Sequence, residues 1–423
     1  MKNLILYIFF LSICNISHAD YERYFTKESF RVDFILAGNN KTTKVYLHAQ
    51  KKEPYWGGTL NNLIDTLKYG SFFYTISLPE TKEIIFSMGF CTLYEEWQTT
   101  KEAREMQKAF YETVTFPFPK EKVNFELFKR DEKGLFKSIY TVLINPDDYF
   151  IEGFSNDKYE IVPILKTNDP AHSVDIAFLP EGYTKEEMPK FINDVKKICD
   201  SIFTVYPFNK YKNNFSVNAI LSPSQESGTD IPGTGIWKNT IINSNFYTFD
   251  SERYLTTSDY WKVRDIASLV PYDNICILVN TSKYGGGGIY NHYNLTAVDH
   301  EVSADIFIHE FGHGFGGLAD EYYTSNVSYE NFYPLEVEPW EPNITTLVNF
   351  DKKWKSILSK NIPIPTPDTI PWINSPGVFE GGGYVAKGVF RPEYNCRMKS
   401  LKQSSFCKVC ELSIEKMIHR MID

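Results

Sequence analysis

The chain has 423 residues, enough for two or three domains, and its 43% hydrophobic and 16% aromatic content can fill sizeable cores. Its 44 basic and 53 acidic side chains give a formal net charge of −9, and no basic cluster interleaved with aromatic residues offsets it. This balance argues against nucleic acid and anionic membrane as main partners.

The first 19 residues have the features of a secretory signal peptide. Lys2 precedes an apolar run over residues 4–14, and the small residue Ala19 offers a cleavage site. The run is too short to cross a bilayer, and we expect no transmembrane segment. An alternative is a lipid anchor at Cys14, although bulky Ile13 stands where such sites prefer a small residue. We therefore expect an extracytoplasmic protein that is secreted, periplasmic or a cell-surface lipoprotein.

Residues 20–152 are predicted to form an antiparallel β-sandwich. Short alternating or β-branched and aromatic runs are separated there by Gly, Asn and Pro, and residues 97–110 are predicted to be an amphipathic excursion. Nothing in this domain has the spacing of a ligand or nucleophile site. We interpret it as a structural appendage rather than a substrate-binding or partner-binding module. The predicted strands are 29–36, 43–49, 72–77, 83–86, 123–129 and 136–144.

A second domain is predicted over residues 160–423. The turn-rich segment 151–167 is predicted to separate the domains, because Gly, Ser, Asn and Asp cluster between residues 153 and 157. A strand at 172–179 precedes a helix that Thr184 caps, and further strands are predicted at 214–221 and 274–279. This strand, helix, strand alternation is typical of an α/β sheet.

Four consecutive glycines occupy positions 285–288. A phosphate-binding loop would need a basic residue and a helix directly afterward, and the sequence has neither. We interpret the run as backbone that closely approaches a sheet edge or an extended ligand, with Gly287, Gly288 and Ile289 as candidate substrate-binding residues. His292 and His300 follow, and we interpret each as a surface or hydrogen-bonded histidine rather than a metal ligand.

A stretch further along contains His309, Glu310 and His313 in H-E-x-x-H spacing. Residues four apart on an α-helix are turned about 40° from each other and rise about 6 Å, so both imidazoles can reach one metal ion. Glu310 then stands beside that ion, where it can act on water without being a ligand. Apolar neighbours predict a buried helix that is polar only on this face.

Three glycines, at 314, 316 and 317, predict that this helix ends soon after His313. On a continuing helix Asp320 would lie about 10 Å beyond His313 and out of reach of the same ion. A glycine turn can instead bring Asp320 or Glu321 back as the third ligand, and we favour Asp320. An arrangement with a third ligand from a later helix would not require the glycines.

The tail contains three clustered cysteines, and a terminal helix is predicted over 405–421. In an oxidising compartment we predict a disulfide from Cys396 to Cys407 or Cys410. A second zinc site that uses these three with His419 is the alternative. The other cysteines of the mature chain, Cys91, Cys199 and Cys276, are predicted to be buried thiols.

Several groups of residues together carry a family resemblance: residues 309–323, Cys396-Arg397-Met398, Phe406-Cys407 with Val409-Cys410, Glu181-Gly182-Tyr183-Thr184, and Glu96-Trp97-Gln98-Thr99-Thr100. The chain resembles the bacterial zinc metallopeptidase family typified by IgA-specific peptidases, and its second domain is similar to the metzincins. The resemblance implies an α+β multidomain protein, in which an N-terminal antiparallel β-sandwich precedes a metzincin-like α/β zinc peptidase domain whose Met398 underlies the metal. The last metzincin ligand would fall on Ala319, one residue before Asp320, and a tyrosine oxyanion donor would fall on Ser400.

We therefore predict a zinc-dependent endopeptidase acting on protein or glycoprotein substrates. His309, His313 and Asp320 are predicted to hold one catalytic Zn²⁺, and Glu310 is the predicted general base. Two alternatives stay open: a secreted metal-containing binding module for host or surface glycoproteins, and a zinc amidase acting on a non-protein amide. No residue extends IgA cleavage to this chain, and the sequence leaves calcium binding and oligomeric state open.

Overall fold

The computed structural model describes residues 18–154, 158–167, 169–323 and 333–423. The predicted signal peptide lies almost wholly outside the described residues, as do the predicted anchor at Cys14 and residues 155–157 of the predicted domain boundary, so these stay predictions. Within the described ranges, no helix combines the length and apolar character needed to cross a membrane.

The N-terminal part consists of helix α1 (His18–Tyr24) and two antiparallel sheets. The rings of Phe30 and Phe116 from one sheet and of Tyr74 and Phe125 from the other form one buried aromatic core. The predicted sandwich-like arrangement is confirmed. In spatial order, the first sheet is β2 (Thr43–Glu53), β1 (Phe25–Gly38) and β5 (Lys108–Pro119), and the second is β4 (Ile84–Phe90), β3 (Phe72–Ser77), β6 (Val123–Arg130) and β7 (Phe136–Ile144).

The predicted amphipathic excursion at 97–110 is wrong in detail. Two short helices, α2 (Leu93–Gln98) and α3 (Glu102–Glu105), are followed directly by strand β5. Phe116 on this strand pairs in register with Phe30, which no local pattern indicates. Two prolines late in β5 interrupt the residue pattern by which a strand is predicted. An edge strand tolerates proline because one side of its backbone needs no ladder partner.

A six-stranded sheet forms the framework of the C-terminal part. Its four inner strands are parallel and its two outer strands are antiparallel to their neighbours, which confirms the predicted α/β alternation. The predicted boundary segment 151–167 contains one outer strand, β8 (Glu160–Leu165). In spatial order the strands are β14 (Gly286–Ile289), β15 (Tyr293–Ala297), β13 (Asn274–Val279), β9 (Val174–Glu181), β10 (Phe215–Leu221) and β8 (Glu160–Leu165).

Helices cover both faces of this sheet. Three of them share one buried cluster with one sheet face: α4 (Met188–Ile202), α6 (Ser303–Gly314) and α7 (Lys408–Ile422). Helix α5 (Tyr260–Ala267) packs on the opposite face. A capping box between Thr184 and Glu187 starts the turn that leads into α4, as predicted for Thr184. Two small hairpins complete the fold: β11 (Ser244–Asn245) with β12 (Thr256–Thr257), and β16 (Phe379–Gly382) with β17 (Val385–Arg391).

The predicted disulfide in the tail is wrong. Each of the six cysteines in the described ranges is a free thiol, and the Sγ atoms of Cys396 and Cys410 are 3.7 Å apart. A disulfide requires about 2.05 Å between the two sulfur atoms. The alternative prediction, a zinc site of these three cysteines with His419, is also wrong in its fourth ligand. The imidazole of His419 contacts Tyr211 and Asp423 instead.

Candidate active site

Helix α6 ends where its glycines predict. It stops at Gly314, and the chain then passes through Gly317 with a left-handed φ of 63°. The amide of Leu318 donates to the carbonyl of Gly312 at 3.2 Å, and the amide of Gly317 donates to the carbonyl of His313 at 3.0 Å. The two bonds are nested around Gly317, where the absence of a Cβ permits the left-handed conformation that closes the helix. The turn brings the following residues back toward the histidines.

Three side chains converge beside this turn. The Nε2 atoms of His309 and His313 lie 3.2 Å apart, and Oδ1 of Asp320 lies 3.0 Å from the first and 3.4 Å from the second. Asp320 is only 5% exposed. Such a set of two imidazole nitrogens and one carboxylate oxygen, with no fourth ligand among the described residues, is typical of a catalytic zinc site that keeps one position open.

Backbone carbonyls fix the orientation of both imidazoles. Nδ1 of His309 lies 3.1 Å from the carbonyl oxygen of Arg397, and Nδ1 of His313 lies 2.6 Å from that of Leu318. Because a carbonyl oxygen only accepts, each Nδ1 carries a proton, so the Nε2 atom of each neutral imidazole directs its lone pair at the common point. Together with the carboxylate of Asp320, these lone pairs require a cation between them.

The electrostatics of the site favour that cation. Burial opposes ionisation of Asp320, but the two imidazoles outweigh it and hold the pKa of its carboxyl well below the ordinary value. Burial likewise opposes protonation of His313, yet Asp320 raises the pKa of that imidazole to about 9. In the metal-free state a proton therefore takes the place of the positive charge. The residues fit a divalent metal.

Asp320 and Glu321 point to different places. Asp320 joins the histidines, whereas Oε1 of Glu321 lies 3.2 Å from the sulfur of Cys410. The backbone here pairs with the turn of the β16–β17 hairpin, since the amide of Gly383 donates to the carbonyl of Asp320 at 2.8 Å. Successive side chains of an extended segment point to opposite sides. The structure thus brings together the donors that the sequence favoured.

The glycine run before the motif forms edge strand β14, which lies against α6. A Cβ on Gly288 would come within 2.2 Å of the carbonyl oxygen of Glu310, and one on Gly286 would come within 3.1 Å of its Oε1. Only glycine permits this approach of strand and helix. Burial raises the pKa of the Glu310 carboxyl, while His309 and His313 lower it. The carboxyl therefore stands between the metal donors and the edge of the sheet.

Met398 packs beneath the motif helix. Its sulfur lies 2.7 Å from the position that a Cβ on Gly312 would take, and the side chain is fully buried. Its carbonyl accepts the amide hydrogen of Glu321 at 2.8 Å. The turn around Met398 therefore contacts both the helix between the two histidines and the segment that carries Asp320.

Comparison with known families agrees with this geometry. The model for the family described as IgA peptidase M64 matches residues 162–372 and 368–418, and the model described as the peptidase M64 N-terminus matches residues 20–141. The chain belongs to the M64 peptidase family. No curated protein gave a match. Membership makes the protein a metallopeptidase and favours peptide hydrolysis over the two alternatives that the sequence left open.

The candidate active-site cleft of this M64 peptidase has a volume of about 370 Å³ and is lined by both parts of the chain. Glu95 and Glu96 on α2 of the N-terminal part form one wall, and the hydroxyl of Tyr254 donates to Glu96. Tyr384 and Lys399 from the C-terminal part also line the cleft. The N-terminal part thus contributes side chains to the cleft, and its role as a structural appendage stays a prediction.

The rival histidines lie outside the metal-ligand group. His292 is 5% exposed, and its Nε2 lies 2.9 Å from Oε2 of Glu112 on the N-terminal sandwich. Burial and the nearby Arg264 hold the pKa of His292 well below its ordinary value. His300 lies before α6, where its Nδ1 accepts the amide hydrogen of Val302 at 3.3 Å. Both are hydrogen-bonded histidines, as predicted.

Tyr384 is a site residue that the sequence did not identify. Its hydroxyl donates to Oδ2 of Asp320 at 2.6 Å, and its backbone has a left-handed φ of 66°. Such a conformation is unfavourable for a bulky side chain and persists where the surroundings fix it. A signal was present, because Tyr384 follows three consecutive glycines, but nothing in the sequence links it to Asp320.

Tyr384→Phe is expected to weaken metal binding by roughly 10- to 100-fold, the usual effect of losing an outer hydrogen bond to a ligand. The variant removes one hydroxyl and leaves the ring in place. Competition with a chromophoric chelator measures the affinity, and Tyr149→Phe, at a tyrosine that is 87% exposed, is the matched control. Equal affinity in Tyr384→Phe and the wild type would show that this bond does not support Asp320.

Proposed function

We propose that the protein is a zinc endopeptidase in which His309, His313 and Asp320 hold one Zn²⁺ and Glu310 is the general base. The observation that carries the proposal is the convergence of the three donor atoms beside Glu310, in a cleft bordered by a sheet edge. Two imidazoles and a carboxylate suit zinc, whereas calcium prefers six to eight oxygen ligands. When bound, zinc would acidify a water and polarise the scissile carbonyl.

Glu310 moves the proton in this proposal. Its carboxylate accepts a proton from the attacking water and then delivers it to the nitrogen of the leaving amine. Burial raises the pKa of this carboxyl, which suits a group that must both take up and release a proton. The peptide bond breaks as the new carboxylate and the free amine form, so a water is consumed for each bond cut.

We further propose that substrate binds as an extended strand along β14. This strand lies at the sheet edge. At its start, Gly286 forms an isolated bridge with Tyr254, and just after its end the carbonyl of Tyr290 accepts the amide hydrogen of Cys91. Between these contacts lie Gly287, Gly288 and Ile289, the predicted substrate-binding residues. Addition of a peptide strand to a sheet edge gives main-chain hydrogen bonds beside the reacting groups.

The C-terminal part has features expected of a metzincin-like domain, and we propose that assignment. The supporting features are an antiparallel edge strand beside the motif helix, a glycine turn after His313, and Met398 packed against Gly312. Asp320 falls one residue later than the general metzincin ligand position. The left-handed turn at Gly317 accommodates the extra residue, because it reverses the chain before Asp320 is reached.

Proteolysis of a mixture of unfolded proteins tests the proposed function. We expect new peptide termini by mass spectrometry, loss of cleavage with a chelator, and recovery when zinc is added back. The same chelator presaturated with zinc is the control for effects unrelated to metal removal. Absence of new termini from every protein in the mixture with zinc-loaded enzyme, or unchanged cleavage after complete metal removal, would contradict the proposal.

A further inference from the structure

A second group of potential ligands lies next to the catalytic donors and takes no part in the proposed reaction. It consists of Glu321, Cys396, Cys407 and Cys410, whose ligand atoms all lie within 4.8 Å of one another. Their exposed fractions are 0%, 1%, 2% and 0%. Four soft or anionic donors packed this closely away from water are unfavourable unless a proton or a metal ion compensates them.

Three distances within the group are close to those expected for tetrahedral zinc. The Sγ atoms of Cys396 and Cys410 are 3.7 Å apart, and Oε1 of Glu321 lies 3.7 Å from Sγ of Cys407 and 3.2 Å from Sγ of Cys410. Zinc bonds of about 2.3 Å to sulfur and about 2.1 Å to oxygen place tetrahedral ligands roughly 3.8 Å apart for two sulfurs and roughly 3.6 Å for sulfur and oxygen. The observed group needs little adjustment to hold the ion.

The local sequence also suits a structural metal site. Cys407 and Cys410 have C-x-x-C spacing, with Cys407 at the start of α7 and Cys410 in its first turn. The backbone amide of Cys407 donates to Sγ of Cys396 at 3.2 Å, a bond that stabilises a thiolate. Asn343 donates to Oε1 of Glu321 at 3.0 Å and fixes the carboxylate toward the sulfurs.

A disulfide would satisfy this group less well. A bond between two of the cysteines would leave the third thiol and the carboxylate of Glu321 buried together with no ion bridging them. Oε2 of Glu321 is already buried without a hydrogen-bond partner among the described residues. A metal ion uses all four donors and neutralises part of their charge.

We propose that Glu321, Cys396, Cys407 and Cys410 bind a second zinc ion with a structural role. Four protein ligands close the coordination sphere, so this ion has no position for water and no part in hydrolysis. Its ligands join the segment carrying Asp320, the turn around Met398 and the start of α7. The second ion would therefore hold the catalytic ligand segment and the floor of the catalytic site together.

Cobalt substitution of the purified full chain distinguishes the two sites. We expect two ions per chain, and thiolate-to-cobalt charge-transfer absorption that only the cysteine site can give. Cys407→Ser and Glu321→Ala are expected to bind one ion and to lose the charge-transfer absorption. Asp320→Ala is expected to keep that absorption, so failure of the catalytic assignment is separable from failure of this one. Cys199→Ser, at a buried cysteine on α4, is the matched control.

The wild-type protein provides the deciding measurement if the ligand variants do not fold. Its zinc content is expected to be two ions per chain, with all three thiols of the group recovered after denaturation with a chelator and alkylation. One ion per chain without thiolate-to-cobalt absorption would overturn the proposal. A disulfide among Cys396, Cys407 and Cys410, seen as a mass deficit of two hydrogens in the untreated chain, would overturn it as well.

Discussion

Glu310→Gln is expected to lower kcat by about 10³-fold while leaving the protein folded and loaded with metal. An amide has nearly the same shape as the carboxylate but cannot accept a proton from water at neutral pH. Glu310 is not among the converging donors, which are His309, His313 and Asp320. The loss should therefore fall on the reaction step and leave metal affinity unchanged.

Steady-state cleavage of one peptide, with zinc content measured on the same samples, checks this expectation. Glu301→Gln is the matched control, because Glu301 is exposed and lies shortly before α6. The control should retain wild-type kcat and zinc content. Substantial turnover in metal-loaded Glu310→Gln would assign proton transfer to another group. Loss of zinc from that variant would instead make Glu310 part of the metal site.

The H-E-x-x-H helix was predictable because its geometry is local. Two imidazoles at a spacing of four share a helix face wherever the helix packs, and the glycines after His313 end it by backbone conformation alone. The structure shows both features, with α6 ending at Gly314 and a left-handed Gly317. Local conformation thus determined the part of the candidate site that the sequence specified best.

The choice between Asp320 and Glu321 could not be made with the same security. Both are acidic neighbours, and which one faces the histidines depends on the hairpin turn at Gly383 and Tyr384 that pairs with their backbone. Tyr384 is 64 positions from Asp320 along the chain. Single-sequence patterns carry no information on contacts at that separation, so Tyr384 went unrecognised for the same reason.

The predicted disulfide among the tail cysteines was wrong for a related reason. Cys396, Cys407 and Cys410 are close in sequence, and in an expected oxidising compartment such spacing favours a disulfide. The fourth member, Glu321, lies 86 positions from Cys407. Without it, three cysteines are an incomplete zinc site and a disulfide is the simpler interpretation. The fourth donor becomes visible only when the chain is folded.

Strands β5 and β14 show a different limit of prediction from sequence. Prolines in β5 and glycines in β14 lower intrinsic strand preference, so neither segment was predicted as a strand. Both lie at sheet edges, where proline is tolerated and where another chain segment can approach closely. In β14 the glycines permit contact with Glu310, so the residues that weaken the strand pattern are those that bring the sheet edge to the candidate catalytic group.

Asp320→Ala is expected to remove the ion from the histidine site and to abolish detectable turnover. Loss of a direct ligand should cost more affinity than the roughly 10- to 100-fold expected for an outer hydrogen bond. The two histidines alone also leave two positions open to water, which is unsuited to a catalytic zinc site with three protein ligands. Titration of metal-free protein with zinc against a competing chelator measures the change, and Asp200→Ala, on the exposed side of α4, is the control.

A double-mutant cycle makes this prediction specific to Asp320. The hydroxyl of Tyr384 is expected to act on the metal through Oδ2 of Asp320, which it contacts at 2.6 Å. Tyr384→Phe should therefore weaken zinc binding in the wild type but have no further effect in Asp320→Ala, so the two free-energy changes will not add. Additive effects would mean that Tyr384 acts by another route. Wild-type zinc affinity in Asp320→Ala would move the third ligand elsewhere, because a buried carboxylate between two imidazoles cannot be both a ligand and dispensable.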